Sequence, residues 1–435
     1  MFEWKGETQA ELPRICAVEQ RFDTSGIDVR EGIRAELTKP EIKKLLIPGL
    51  KAAVAVGSRG IGGIDIIVRT IVDELKKNGL AVFIVPSMGS HGGATAEGQV
   101  DYLAGYGITE ESMGVPIRSS MEVVELGEVE PGVNVCFDRI AYDEADLIIP
   151  VNRVKCHTGF KGPVESGLYK MLVIGMGNHI GASRIHALGF PRFRELIPKT
   201  GEFILDKIPA VQFGIAIVEN AKDLPSIIEA VPAKEFKTRE PELLKLSRLL
   251  MPRLNFTNID LLVIGELGKN ISGAGLDPNV TGRFWMSHME DGPLICGRIV
   301  LLDLTPESHG NAMGVGMADA ISRKLLDKID FNATYTNAIT AGRIEKARVP
   351  MVMKDDRDTI KIALQAIGLA PRQKPRVVVI KNTLELERIY VSEGLLEDVK
   401  ANPNLRIVGD LQEMNFDRSG DLLLVPEGET QSKPS

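Results

Sequence analysis

Short apolar runs alternate with amphipathic segments along this chain, and that alternation restricts the fold more than any other feature. Buried strands are predicted at residues 52–56, 81–85, 147–151 and 211–218. A helix is predicted at 64–77, where Ile67, Ile71 and Leu75 recur at helical spacing, and another at 95–105 with Thr95 as its N-cap. Strands that alternate with helices form parallel sheets covered on both faces, so an α/β fold is expected.

A second series of strands follows a charged helical stretch at residues 233–250. Its strands are predicted at residues 259–264, 298–303, 376–380 and 405–409, with a helix at 317–330. The chain has 435 residues, which is long enough for more than one hydrophobic core. We therefore expect two α/β domains with mostly parallel sheets, residues 1–245 and 246–435.

Charge and cysteine content exclude several classes of protein. A net charge of −7 argues against a nucleic-acid surface. No apolar run reaches the roughly 18 residues of a membrane span, so no membrane association is expected. The cysteines, which stand far apart in the sequence, match neither a disulfide framework nor a zinc ribbon; they are Cys16, Cys136, Cys156 and Cys296. A reduced, cytoplasmic setting is the expectation.

Three loops follow predicted strands, where open α/β sheets bind their ligands. Residues 57–63 are glycine-rich and contain Arg59, whose guanidinium suits a carboxylate or phosphate unless it is simply a surface arginine. Residues 86–93 contain His91, and the loop after residue 151 contains His157. Each histidine is either a structural hydrogen-bonding residue or a general acid/base. The glycine spacing does not match a dinucleotide fingerprint.

Histidine and lysine are concentrated in one segment. The chain has six histidines, and His157, His179 and His186 fall within thirty residues. Lys170 enters an apolar run, which is costly for a lysine unless it snorkels to solvent or has a chemical role. His186 and His179 are candidate metal ligands, but a single histidine holds a metal weakly. Most of the coordination would have to come from elsewhere.

These elements, taken in order, resemble the nickel-pincer 2-hydroxyacid racemases and epimerases, the lactate racemase family. The resemblance covers roughly residues 50–300. It rests on an arginine after the first strand (Arg59), a Gly-Ser-His loop (89–91), and the run Ala-Asp-Leu-Ile-Ile-Pro-Val (145–151) leading to His157. A glycine-containing stretch then leads to Lys170, and His186 follows sixteen positions later.

The resemblance implies a role for each of these residues. Lys170 would be tethered covalently to pyridinium-3,5-bisthiocarboxylic acid mononucleotide, the pincer that holds nickel, and His186 would be the protein ligand to the metal. His91 and His157 would be the paired acid/base groups, with Gly89 and Ser90 at the cofactor. Hydride transfer at the substrate carbon would belong to the cofactor. The active site would lie in the cleft between the two domains.

The opposite wall of that cleft departs from the lactate-type pattern. The loop after residue 264 lacks the Tyr-Gln and lysine pattern of the lactate-type enzymes, and Lys269 and Asn270 are the candidates to bind substrate in its place. Arg59, in the loop after the first strand, is the third candidate. The expected partners are a small 2-hydroxy acid, the enzymes that make the pincer cofactor, and a second copy in a homo-oligomer. Two alternatives stay open: a lyase or isomerase on a sugar-acid-like substrate, and a non-catalytic protein that senses a metabolite or cofactor.

Overall fold

The computed structural model describes residues 10–58, 60–285, 291–368 and 373–423. The chain divides into two compact units. The first, Asp23–Met251, is called the central unit here; the second combines Met1–Phe22 with Pro252–Ser435 and is called the split unit. The expected division placed residues 1–245 together. The structure differs because the strand at Ile15–Gln20 pairs within the sheet of the split unit.

The strands and helices below are numbered in chain order. The strands are β1 (Ile15–Gln20), β2 (Lys51–Val56), β3 (Ala81–Pro86), β4 (Val123–Glu130), β5 (Val133–Asp138), β6 (Leu147–Arg153), β7 (Phe213–Glu219), β8 (Pro225–Pro232), β9 (Asn258–Leu267), β10 (Ile295–Leu304), β11 (Ala320–Ser322), β12 (Met351–Met353), β13 (Val377–Ile380), β14 (Arg388–Ser392) and β15 (Leu405–Ile407). The helices are α1 (Val29–Thr38), α2 (Pro40–Lys43), α3 (Ile64–Lys77), α4 (Ala96–Ala104), α5 (Glu110–Met113), α6 (Arg139–Glu144), α7 (Leu168–Lys170), α8 (Asn178–Ala187), α9 (Phe193–Lys207), α10 (Phe236–Leu250), α11 (Pro278–Thr281), α12 (Arg323–Asp327), α13 (Phe331–Thr340), α14 (Asp356–Gln365) and α15 (Leu396–Ala401).

The central unit is built on a sheet of order β3-β2-β6-β7-β8. All neighbours in it are parallel except β7 and β8. Strand β2 is buried on both faces: Ala53 and Ala55 pack into one hydrophobic core, and Val54 and Val56 into another. An apolar strand with no polar face requires cover on both sides, which the flanking helices supply. A separate antiparallel pair, β4 and β5, was not predicted from the sequence.

The split unit contains a sheet of order β12-β11-β10-β9-β13-β14-β1-β15. Strands β9 to β13 run parallel, and β14, β1 and β15 add an antiparallel edge. The expected α/β class with mostly parallel sheets is confirmed. The helix predicted at 317–330 was wrong in its first part: residues Ala320–Ser322 form β11, and Ser322 caps the shorter helix α12 by accepting from the Leu325 N–H.

Candidate active site

The two histidine loops leave the sheet on either side of one strand. Strand β2 lies between β3 and β6, with Val56 paired to Pro86 on one side and to Val151 on the other. All three strands are parallel, so the loops that follow them emerge at the same edge of the sheet. His91 follows β3 and His157 follows β6. The topology therefore places both predicted acid/base residues at one sheet edge, inside the central unit.

The His91 loop is held by polar contacts from three directions. The Nδ1 atom of His91 is hydrogen-bonded to the Ser58 hydroxyl, which comes from the loop after β2. The buried side chain of Gln99, on α4, donates to the carbonyl of Gly89 at 3.0 Å. Gly89 itself has φ of +60° and donates its N–H to the Gly175 carbonyl at 3.2 Å. His91 is thus presented, exposed, on a fixed loop. Arg59 lies outside the described residues.

The His157 loop is closed at its base. Lys155 and Ser166 exchange backbone hydrogen bonds of 3.0 and 3.1 Å, so residues 156–165 form a closed excursion from the sheet. Inside it, the Glu165 carboxylate accepts the backbone N–H of His157 at 2.6 Å. Arg248 of α10 donates to that carboxylate at 2.7 Å, and the Glu165 side chain is fully buried. The backbone at His157 is thereby tied to a buried ion pair.

The ring nitrogens of His157 are distinguished by a hydrogen bond. The Gly159 N–H donates to Nδ1 of His157 at 3.0 Å. Because Nδ1 accepts there, a neutral His157 carries its proton on Nε2. The ring packs against that of Phe160, tilted by 40°, with 4.5 Å between centroids. A neutral His157 therefore presents a hydrogen-bond donor at Nε2.

His186 has the opposite arrangement of donor and acceptor. Its Nδ1 lies 2.7 Å from the Ala182 carbonyl one turn earlier in α8, and a carbonyl can only accept, so Nδ1 carries the proton. The lone pair of a neutral ring is then on Nε2. Metal-binding histidines usually donate their other ring N–H to a carbonyl or carboxylate in this way. Its competitor His179 is exposed near the start of the same helix.

Lys170 ends the short helix α7, which continues as a π-helical turn at Met171–Gly175. Such turns occur often at functional sites. Lys170 is half-buried, and its neighbour Tyr169 is 1% exposed. The Tyr169 N–H donates to the carboxyl of Glu240, on α10, at 3.1 Å. The backbone next to Lys170 is therefore fixed by the buried Tyr169 side chain and by the hydrogen bond to Glu240.

Packing contacts join these elements into one neighbourhood. A methyl group at Gly89 would lie 3.1 Å from the Ala182 Cβ, so the His91 loop sits directly on α8. His157 and His186 share a neighbour in Phe190, whose ring centroid is 5.7 Å from one and 6.1 Å from the other. The structure thus brings the loops and helices that carry His91, His157, Lys170 and His186 together within the central unit.

Lys269 and Asn270 lie in the split unit, after β9. The Lys269 amine donates to the Gly273 carbonyl at 2.6 Å and to Asn337 at 3.0 Å. The Asn270 side-chain oxygen accepts from the Thr305 hydroxyl at 2.8 Å. Both side chains therefore stabilise the loop in which they stand, and their role toward a substrate stays a prediction.

Sequence reasoning missed the residues that support the site. Glu165, Arg248, Glu240 and Gln99 hold the His157, Lys170 and His91 segments. A buried glutamate gives no signal in a local pattern, because the same residue type is common on surfaces. Cys156, beside His157, is buried, which raises the pKa of its thiol. A neutral, buried thiol is expected of a cysteine that packs in the core rather than one that reacts.

The described residues contain neither a membrane-spanning helix nor a cluster of metal-binding side chains. No helix in the described ranges is long and apolar enough to cross a membrane. No group of three or more His, Cys, Asp or Glu side chains in that part of the chain is placed to hold a metal ion. A metal bound through His186 would therefore need donors beyond the described histidine, cysteine and acidic side chains.

Comparison with known proteins supports the fold. No protein-family model and no curated protein matches the chain. Among solved structures, the lactate racemase apoprotein from Thermoanaerobacterium thermosaccharolyticum is similar, with a TM-score of 0.50 and 15% sequence identity. The match covers 83% of this chain and 93% of that one. The two proteins share a fold. The resemblance seen in the sequence is supported at that level.

Proposed function

We propose that the protein is a racemase or epimerase of a 2-hydroxy acid that uses a nickel-pincer nucleotide tethered to Lys170. The observation that carries the proposal is that two histidines in contact with Phe190 carry their protons on different ring nitrogens. His157 carries its proton on Nε2, and His186 has its lone pair there. An N–H at Nε2 can donate a hydrogen bond to a substrate oxygen, whereas a lone pair there suits a metal. The fold shared with a lactate racemase supports the same class of reaction.

The residues fit the implied cofactor in their chemistry. A pincer ligand supplies most of the metal donors itself, so it requires one protein ligand, and the Nδ1–H bond of His186 to a backbone carbonyl is typical of such a ligand. Lys170 would hold the cofactor covalently, with Gly89 and Ser90 beside it. When bound, this group would accept and return the hydride at the substrate's Cα.

The chain's own residues would move the hydroxyl proton. Two acid/base groups at one sheet edge allow one to take this proton and the other to give it back. His157 and His91, which is bonded to Ser58, are proposed for these two roles. The ring that takes the proton must start as a neutral imidazole, and the ring that gives it back must start as an imidazolium. Arg59, Lys269 and Asn270 are proposed to bind the substrate carboxylate. The cytoplasmic setting and a homo-oligomer belong to the same proposal.

Mass spectrometry tests this function directly. The protein is produced together with the pincer-synthesis enzymes, and intact mass, peptide mapping and metal analysis are measured. We expect an adduct on Lys170 and stoichiometric nickel. Lys170→Arg should remove the adduct, whereas Lys161→Arg, a matched change at a lysine of the His157 loop, should retain it. An unmodified Lys170 and a nickel-free protein would overturn the proposal.

Activity is measured next, by chiral chromatography over a panel of 2-hydroxy acids. Interconversion of the enantiomers or epimers of any member supports the racemase. A protein that carries the adduct but converts none of them would instead be a cofactor- or metabolite-binding protein, and elimination products would indicate a lyase.

A further inference from the structure

The helical turn that carries Lys170 is capped by a side chain from another helix. The residue before α7 is Gly167, which has no side chain to satisfy the first N–H groups of the turn. Glu240 of α10 takes that role. Its carboxyl accepts the Tyr169 N–H at 3.1 Å, and the neighbouring Leu168 N–H also favours its charged form. Lys170 is the next residue along the chain.

The fit of this carboxyl is close. Glu240 is 1% exposed. A methyl group at Gly167 would lie 2.2 Å from its Oε1 atom, so only glycine leaves room for the carboxyl at this point. The Tyr169 ring packs closely against Gly201 of α9. A methyl group at that glycine would lie 2.1 Å from the ring. The first turn of α7 is thus fixed between α9 and α10.

We propose that Glu240 is a positioning residue for Lys170, holding the turn from which the lysine reaches its partner. The importance of Lys170 rests on the proposed function, whereas the contacts that Glu240 makes are independent of it. Glu240 is 70 positions from Lys170 in the sequence and touches the backbone that precedes the lysine. Because it acts through this backbone, its loss should change the reactivity of Lys170 more than that of other lysines.

The charge on Glu240 changes near neutral pH. Burial raises the pKa of its carboxyl to about 7, although the Tyr169 and Leu168 N–H groups oppose the rise. The ionised carboxylate accepts these N–H groups more strongly than the neutral acid does. We therefore expect the turn to tighten as the pH rises through 7.

The other ionisable groups around Glu240 are engaged elsewhere or keep one charge through this range. Arg239, the preceding residue, pairs with Glu229 of β8 and with Glu242. On α9, Glu202 pairs with Lys237 at 2.9 Å. The Tyr169 hydroxyl faces both Glu202 and Glu240, and burial raises its pKa, so it stays neutral. Glu240 is thus the group in this set whose charge changes near pH 7.

Two variants separate positioning from general stability. Glu240→Gln keeps the shape and an accepting oxygen but cannot ionise, and Glu240→Ala removes the acceptor. Glu74→Gln is the matched control, because Glu74 is a buried glutamate of the same unit, on α3, paired with Arg34. Each cofactor-free protein is acetylated with acetic anhydride at pH 6 to 8, and labelling of Lys170 is compared with that of Lys161. Amide exchange at Leu168 and Tyr169 is followed by fragmentation mass spectrometry.

In the wild type, we expect protection of the Leu168 and Tyr169 amides to rise roughly tenfold from pH 6 to 8 after correction for the intrinsic exchange rate. Glu240→Gln should flatten this rise, and Glu240→Ala should lose the protection and change Lys170 labelling relative to Lys161 by about threefold or more. If Glu240→Ala does not fold, the Gln variant alone decides. The same rise in Glu240→Gln, or unchanged Lys170 labelling in Glu240→Ala, would overturn the proposal. Because no cofactor is present, this result is independent of whether a pincer adduct forms.

Discussion

The carboxylate of Glu165 accepts the backbone N–H of His157 at 2.6 Å from a fully buried position. Arg248 neutralises that carboxylate from α10, and Lys161 lies 3.6 Å from it. A buried carboxylate without a cation would be very costly, so this ion pair keeps the histidine loop folded against the core. The loop that presents His157 is therefore supported by a residue 83 positions from Glu165 in the sequence.

Removal of Arg248 tests this support. Arg248→Met keeps the apolar part of the side chain but leaves Glu165 buried with Lys161 alone. We expect a loss of about 2 kcal/mol in the free energy of unfolding, less than for a fully buried pair because Arg248 is 43% exposed. Denaturant unfolding measures the change. Lys161→Met is the control and should cost under about 0.5 kcal/mol. Equal losses in the two variants would contradict the assignment of Arg248 as the main partner.

The histidine variants should divide into two groups. His91→Ala and His157→Ala would remove the proposed proton transfer, so turnover should fall by about 10²- to 10⁴-fold while nickel stays bound. His186→Ala should lose nickel as well, because it removes the proposed metal ligand. Chiral chromatography and metal analysis of the same preparations measure both effects. His179→Ala, on the same helix as His186, is the control and should keep both. Loss of nickel from the His179 variant would transfer the ligand role to that residue.

Local pattern was sufficient to predict much of the central unit. The helix at 64–77 was predicted with the bounds that α3 has, and the strands β2, β3 and β6 were located because each contains a continuous run of apolar residues. His91 and His157 were then predicted as site residues because they lie in the loops that follow β3 and β6. Local sequence therefore located the histidine loops as well as the sheet that carries them.

Local sequence patterns could not predict contacts between residues that are far apart in the chain. Strand β1 joins β14, which lies more than 360 positions away in the chain, and no short window contains that information. The residues that support the site could not be predicted for the same reason, since Glu240 and Tyr169 are hydrogen-bonded across 71 positions in the sequence. The helix predicted at 317–330 was wrong at its start because residues 320–322 are too few to show strand periodicity, yet they pair with both β10 and β12.

Gly201→Ala should destabilise the protein, because the added methyl group would collide with Tyr169. Helix propensity favours alanine over glycine by about 1 kcal/mol inside a helix. The added methyl would lie 2.1 Å from the ring of Tyr169, which is buried. Overpacking of about 1–3 kcal/mol should exceed the gain, so Gly201→Ala is expected to lower the melting temperature. Gly273→Ala, where nothing lies within 4 Å, serves as the control and should be close to neutral. A stabilised Gly201→Ala protein would show that α9 can shift away from Tyr169.

Lys346 provides a test of pH dependence in the split unit. Its side chain is fully buried, and burial, with a contribution from Arg343, lowers its pKa to about 7 from an ordinary 10.5. Below pH 7 the amine is charged in both the folded and the unfolded chain, so the folded state bears the whole cost of burying the charge. Between pH 7 and 10.5 the folded amine is neutral while the unfolded one is still protonated, so stability from this group rises with pH.

Lys346→Met should remove that cost and its pH dependence together. We expect the variant to exceed the wild type in unfolding free energy by about 2–4 kcal/mol at pH 6, because the shift in pKa corresponds to a few kcal/mol and some is lost with the amine's polar contacts. The difference should shrink toward zero as the pH approaches 10. Lys328→Met, at an exposed lysine paired with Asp303, is the control and should show no comparable trend. Denaturant unfolding of both variants at pH 6 and pH 9 measures this difference. A gain that did not shrink with pH would mean that Lys346 stays charged in the folded chain, with Glu345 and Asp277 compensating for its burial.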